Sequence, residues 1–139
     1  MKIYYATSIS GGQSEESEKT NIILIEHLKN FGEVLTEHFS NPELIGIGET
    51  QMSDKAIHER DINWLLSADV IVAEVSNVSL GVGYEIGRAV ENSKRILCLR
   101  KKSSKRLSAM ISGCNNLTLK EYSSLEEAKY FVSKFFENF

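Results

Sequence analysis

Residues 69–75 read Asp69-Val70-Ile71-Val72-Ala73-Glu74-Val75, and the run Val70 to Ala73 has no polar alternation. A strand with one wet face alternates apolar and polar side chains, whereas a run apolar on both faces belongs to a sheet covered by helices on each side. Working outward, strand-length apolar runs recur at Lys2 to Ala6, Glu33 to Thr36, Arg95 to Leu99 and, more weakly, Asn116 to Leu119, with helical segments between them. Strands alternating with helices predict an α/β fold built on a five-stranded parallel sheet. At 139 residues the chain has the size of one domain, and residues 1–139 are expected to share one core.

Two helices announce their ends. Ser14 precedes Glu15, Glu16 and Glu18, which favour a helix start, and Ile22, Ile25 and Leu28 recur at helical spacing before Gly32, which is read as the stop. Near the end, Ser124 with Glu127 has the capping-box pattern, followed by an apolar face of Ala128, Phe131, Val132 and Phe135. The connection from Glu37 to Ser53, which holds the single proline, Pro42, is long for so small a domain and reads as a candidate lid.

Composition excludes several classes. With 16 Lys plus Arg against 19 Asp plus Glu the net charge is -3, which disfavours a generic nucleic-acid or anionic-membrane binder. The basic cluster Lys94, Arg95, Arg100, Lys101, Lys102, Lys105 and Arg106 has few aromatics among it and reads as a solvated loop, or as one that draws in a phosphorylated small molecule. No window approaches the apolar length of a membrane span, and the N-terminal apolar run is too short for a signal peptide, so a soluble, intracellular protein is expected. Cys98 and Cys114 form neither a CxxC nor a Cys/His cluster; Cys98, inside an apolar run, reads as core.

In open α/β sheets ligands bind beyond the carboxyl ends of the strands, so the chemistry is expected after Ala6, Thr36, Val75 and Leu99. The first such turn, Thr7-Ser8-Ile9-Ser10-Gly11-Gly12, could bring backbone N–H groups to an anion. The third, Ser76 to Gly87, is again polar and glycine-rich; its Gly81-Val82-Gly83 lies on the wrong strand for a dinucleotide fingerprint, and Gly87 falls one position late. Glu85, about one turn into the next helix, reads as an ionised carboxylate supported by the helix dipole and a candidate nucleophile. Asp61 falls on the apolar stripe of Ile57, Trp64 and Leu65, where an acid needs a partner or a task. His58-Glu59 lacks the second histidine of a zinc motif, since position 62 is Ile. Of His27, His38 and His58, only His38 is expected near the crevice.

Taken together, Ser8-Ile9 with Gly11-Gly12, Thr36-Glu37-His38, Ile57-His58-Glu59 with Asp61, Ser79-Leu80-Gly81-Val82-Gly83-Tyr84-Glu85 and Leu107-Ser108-Ala109-Met110-Ile111 resemble the 2'-deoxynucleoside 5'-monophosphate N-glycosidase (Rcl) family, which is related to the nucleoside 2-deoxyribosyltransferases. The resemblance runs from residue 2 to about 113. It implies a flavodoxin-like (Rossmann-like) three-layer sandwich and a homodimer that cleaves the base-to-sugar bond of deoxynucleoside monophosphates with no metal or cofactor. Glu85 would be the nucleophile, Asp61 would assist proton transfer, and Tyr4 would position sugar and nucleophile. Ser79, Gly81 and Ser108 would hold the 5'-phosphate, Ser108 arriving from the partner subunit with Ala109 and Met110 beside it. Thr7, Ile9, Ser10, Gly11 and Gly12 would line the substrate, and His38 would sit near the base. Ser10 stands where the family pattern has Arg and Thr7 where it has Gly, which leaves Lys101, Lys105 and Arg106 as candidates for the missing cation. A cytoplasmic location, and a nuclear one as well in a eukaryote, goes with this reading. Two other readings share the scaffold: a deoxyribosyltransferase, and a catalytically silent nucleotide-binding module.

Overall fold

The computed structural model describes residues 1–9, 14–37 and 52–139. Strand β3 (Val70–Glu74) is buried along its whole length, as a run apolar on both faces requires. It pairs in parallel with β1 (Lys2–Thr7) on one side and β4 (Arg95–Lys101) on the other. Outside these lie β2 (Glu33–Leu35) against β1 and β5 (Thr118–Tyr122) against β4, both parallel, giving the order β2-β1-β3-β4-β5. This is the flavodoxin-like order, with the chain reversing its direction of travel between β1 and β3.

Alternation along the strands separates two cores. Ile3, Tyr5, Val70, Val72, Leu97 and Leu99 face helices α1 (Glu15–Leu28) and α5 (Leu125–Glu137). Tyr4, Ala6, Ile71, Ala73, Ile96 and Cys98 face α2 (Asp54–Ser67) and α3 (Leu80–Glu91). A short helix, α4 (Ala109–Ser112), precedes β5. Burial pushes the Cys98 thiol up to about 12, so it is an inert core side chain. No described helix is long and apolar enough to cross a membrane.

Caps follow the sequence signals. Ser14 and Ser17 satisfy one another's backbone N–H groups at 3.1 and 2.8 Å, with serine in place of the usual third-position glutamate. Ser124 accepts the Glu127 N–H at 3.2 Å, while the Glu127 carboxylate takes the N–H of Ser123, one residue before the cap.

Several expectations shift. Helix α1 ends at Leu28 rather than at Gly32; Gly32 sits where a Cβ would meet the Met1 carbonyl oxygen at 2.4 Å. Ile22 is 37% exposed, and buried Asn21 takes its place on the inner face because two hydroxyls from β1 donate to its amide oxygen. Strand β5 starts two residues later than Asn116 and runs on to Tyr122, whose ring enters the core while the rest of this edge strand stays half wet. The basic cluster is divided by the length of β4: at one end Lys94 donates to the Leu66 and Ala68 carbonyls at 2.6 and 2.8 Å, and at the other Arg100 is buried against the Lys105 carbonyl. The candidate lid, including Pro42, falls mostly outside the described residues.

Candidate active site

Tyr4 is fully buried on the α2–α3 face of the sheet, and its hydroxyl crosses to α3 to donate a hydrogen bond to Glu85 Oε2. Ser79 caps α3 by accepting the Val82 N–H at 3.3 Å, which aims the helix start beyond the carboxyl end of β3. Asp61 lies on the inner face of α2 beside Ile62 and Leu65 and is 6% exposed. A cleft of about 300 Å³ joins these elements and is lined by Asp61, Glu85, Ser79, Gly81, Thr7 and Ile9, together with Glu37, His58, Ile62, Val82 and Tyr84.

Burial raises the Asp61 carboxyl to about 7, against the opposing pull of the Arg60 guanidinium, whose Nε lies 2.9 Å from Oδ1. Glu85 is likewise raised to about 7: desolvation and the nearby Asp61 charge outweigh the Tyr4 hydrogen bond. Tyr4 itself is held neutral far above neutral pH by burial and by the Glu85 charge. The expectation that the helix dipole keeps Glu85 ionised is therefore corrected. Glu85 is the sixth residue of α3, past the first turn in which the free N–H groups act. The two carboxyls face one cleft, and the Asp61 charge helps to raise Glu85.

Of the residues singled out in the sequence, Tyr4, Asp61 and Glu85 come together, and Thr7, Ile9, Ser79 and Gly81 line the same cleft. Ser10, Gly11, Gly12 and His38 lie outside the described residues. Ser108, Ala109 and Met110 are exposed and do not line this chain's cleft; Ser108 caps α4, its Oγ accepting the Met110 N–H at 3.2 Å. The glycines expected to form a loop, Gly81, Gly83 and Gly87, belong to α3 itself, and a Cβ at Gly83 or Gly87 would meet nothing within 4 Å among the described residues. Lys101 turns away, its ammonium 2.5 Å from Glu16 on the α1 side.

Sequence reasoning missed part of the wall. His58, expected away from the crevice, lines it, with Nε2 2.9 Å from the Tyr84 hydroxyl, which Arg88 also reaches at 2.7 Å. Arg donates only, so the Tyr84 hydroxyl accepts from Arg88 and bridges it to the His58 ring. Arg60 ties the wall together, contacting Asp61, lying 3.7 Å from Glu37 and stacking 4.8 Å above the Trp64 ring. The available signal was position: His58 stands one helical turn before Asp61, and Tyr84 immediately precedes Glu85.

Comparison with known proteins identifies the family and the fold. The sequence model described as "Nucleoside 2-deoxyribosyltransferase" matches residues 3–129. A 5-hydroxymethyl-dUMP N-hydrolase of Danio rerio is 47% identical over 141 residues, covering 99% of this chain and 96% of that protein. The protein of the same name from Mus musculus is 44% identical over 140 residues, covering 97% and 79%. Among solved structures, a Clostridium botulinum CMP N-glycosidase superposes with a TM-score of 0.68 at 19% identity, covering 96% of this chain and 99% of that one, a likeness of fold.

Proposed function

The chain belongs to the nucleoside 2-deoxyribosyltransferase family, and from that premise we propose that it hydrolyses the N-glycosidic bond of 2'-deoxynucleoside 5'-monophosphates, yielding free base and 2-deoxyribose 5-phosphate. The observation that carries this reading is the convergence of Tyr4, Glu85 and Asp61 in one cleft beside the start of α3.

Breaking the bond between base and C1' develops positive charge on the sugar, which an aimed carboxylate captures. The Tyr4 hydroxyl engages Glu85 Oε2, leaving Oε1 to attack C1' and form a glycosyl ester. Asp61, its carboxyl held near 7, gives its proton to the departing base nitrogen. Water then donates a proton to the Asp61 carboxylate and attacks C1', releasing the sugar phosphate and restoring Glu85. This is the retaining two-carboxylate scheme of O-glycosidases applied to an N-glycoside. A 2'-hydroxyl would withdraw electrons from the developing cation, so a deoxy sugar reacts more readily.

The 5'-phosphate fits at Ser79 and Gly81, where the first N–H groups of α3 and its dipole favour an anion. The third phosphate contact, Ser108, comes from a second copy in this reading. Supporting that dimer are the exposed apolar side chains Val78, Leu80 and Met110, at 97%, 94% and 82%, on the segments following the adjacent strands β3 and β4. With Lys101 engaged by Glu16, Lys105 and Arg106, exposed just before Ser108, are the cations that would accompany it into the partner's cleft.

A transferase would form the same glycosyl ester and pass it to a second base, and the family description favours weighing that outcome. Incubation with dGMP, dAMP, dCMP, dTMP and 5-hydroxymethyl-dUMP, with and without added free base, separates the two. Free base with 2-deoxyribose 5-phosphate is expected whether or not a second base is present; exchange of one base for another would establish transfer, and no turnover would leave only nucleotide binding.

A further inference from the structure

On the opposite face of the sheet, a buried polar cluster stands apart from the reacting groups. Glu74, the last residue of β3, is 6% exposed and turns toward α1, away from the cleft. One carboxylate oxygen accepts the Ser76 N–H at 2.6 Å, and the other accepts the Tyr122 hydroxyl. Ser76 Oγ accepts the Lys101 N–H at 2.8 Å. The cluster surrounds a small cavity of about 130 Å³, whose lining includes Asn21, Glu16 and Asn77.

A carboxylate is costly to bury unless donors meet both oxygens, and an apolar side chain here would avoid that cost. What the carboxylate contributes is direction. Between β3 and α3 run only Val75 to Ser79; Val75 closes onto the Leu99 carbonyl at 2.9 Å, and Val78 projects into solvent. The grip on the Ser76 N–H is what turns this short segment toward the start of α3. An acid on the cleft side would repel a bound phosphate, whereas Glu74 is screened by the sheet and met by donors on both oxygens.

We propose that Glu74 is a positioning residue for the substrate phosphate: by holding the Ser76 N–H and the Tyr122 hydroxyl together, it sets the segment that presents Ser79 and the first N–H groups of α3. This rests on the reading of Ser79 and Gly81 as the phosphate end of the cleft. Glu74 acts through the loop and touches no substrate atom, so its loss is expected in binding rather than in the chemical step.

The test measures kcat and KM for the fastest-cleaved deoxynucleoside monophosphate and competitive inhibition by inorganic phosphate, in the wild type, Glu74→Gln and Tyr122→Phe, with thermal melting as the control for folding. Glu74→Gln keeps one acceptor and replaces the other with an amide donor; KM and the phosphate inhibition constant should rise together by about tenfold, with kcat within about twofold of wild type. Tyr122→Phe removes one of the two donors and should give the same pattern at about threefold. Should Glu74→Gln fail to fold, Tyr122→Phe decides by the same split. Unchanged KM and phosphate inhibition, or a fall in kcat with KM unchanged, overturns the role of Glu74. A wild type that is not inhibited by phosphate and cleaves unphosphorylated deoxynucleosides equally well removes the phosphate end itself, a failure of the substrate reading recognisable before any variant is made.

Discussion

At the scale of the residue, the central feature is two carboxyls raised to about 7 in the same cleft. Groups coupled in this way titrate as a pair, so kcat/KM should be bell-shaped and centred near neutrality. Asp61→Asn is expected to remove the alkaline limb and to slow cleavage most for poor leaving bases, while activated nitrophenyl-type leaving groups are rescued. Equal losses on both substrates would make Asp61 a structural partner of Arg60 instead. Glu85→Gln should abolish turnover while leaving nucleotide binding intact; activity within about tenfold of wild type, only ~1.4 kcal/mol of transition-state stabilisation, would refute the nucleophile. The same variant has a stability signature. A buried acid whose pKa is raised on folding binds its proton more tightly in the native state, so its stability contribution is complete below pH 4 and falls away as pH rises toward 7. Glu85→Gln should thus raise the melting temperature at pH 8 and have little effect at pH 4.

At the scale of the element, α3 carries both ends of the proposed site, phosphate at its start and nucleophile one and a half turns on. Its outer surface is unusual for a solvent-facing helix: Leu80 is exposed, and among the described residues nothing crowds a side chain at Gly83 or Gly87. Each glycine costs about 1 kcal/mol relative to alanine in a helix interior, a cost explicable if another surface approaches closely. Leu80→Glu places an acid in the first turn, where the dipole should stabilise the isolated helix by about 0.3 to 1 kcal/mol. If this surface forms the proposed dimer, sedimentation should nevertheless show weaker association; unchanged association would place the proposed interface elsewhere.

At the scale of the whole molecule, a composite site makes a distinctive prediction. If Ser108 completes the partner's cleft as proposed, Glu85→Gln and Ser108→Ala would each spoil one half of a shared site, so a mixed dimer would carry both lesions at one site and neither at the other. Random exchange of equal amounts yields mixed dimers as half the population, and about a quarter of wild-type activity should return. Ser108→Ala must itself be weak at the chosen substrate concentration, in keeping with ~1.5 to 3 kcal/mol for a hydrogen bond to a charged group. No recovery after verified exchange would assign Ser108 to its own subunit's cleft or to none.

The order of elements, the parallel sheet and the place of the cleft were legible in the chain itself, because burial on both faces of Val70 to Ala73 and the strand–helix alternation are local patterns. The family resemblance pointed to Tyr4, Asp61 and Glu85 before any contact was known. Only the tertiary structure decided what each side chain meets. Tyr4 reaches Glu85 across 81 residues of chain and Tyr122 reaches Glu74 across 48, pairings that no periodicity encodes. Asn21 and Glu74 are polar and yet buried, since tyrosine and threonine hydroxyls from the strands satisfy them. The shift of both cleft carboxyls toward neutrality has the same origin: desolvation is imposed by elements that pack over them, and it overrides what a helix position alone would give.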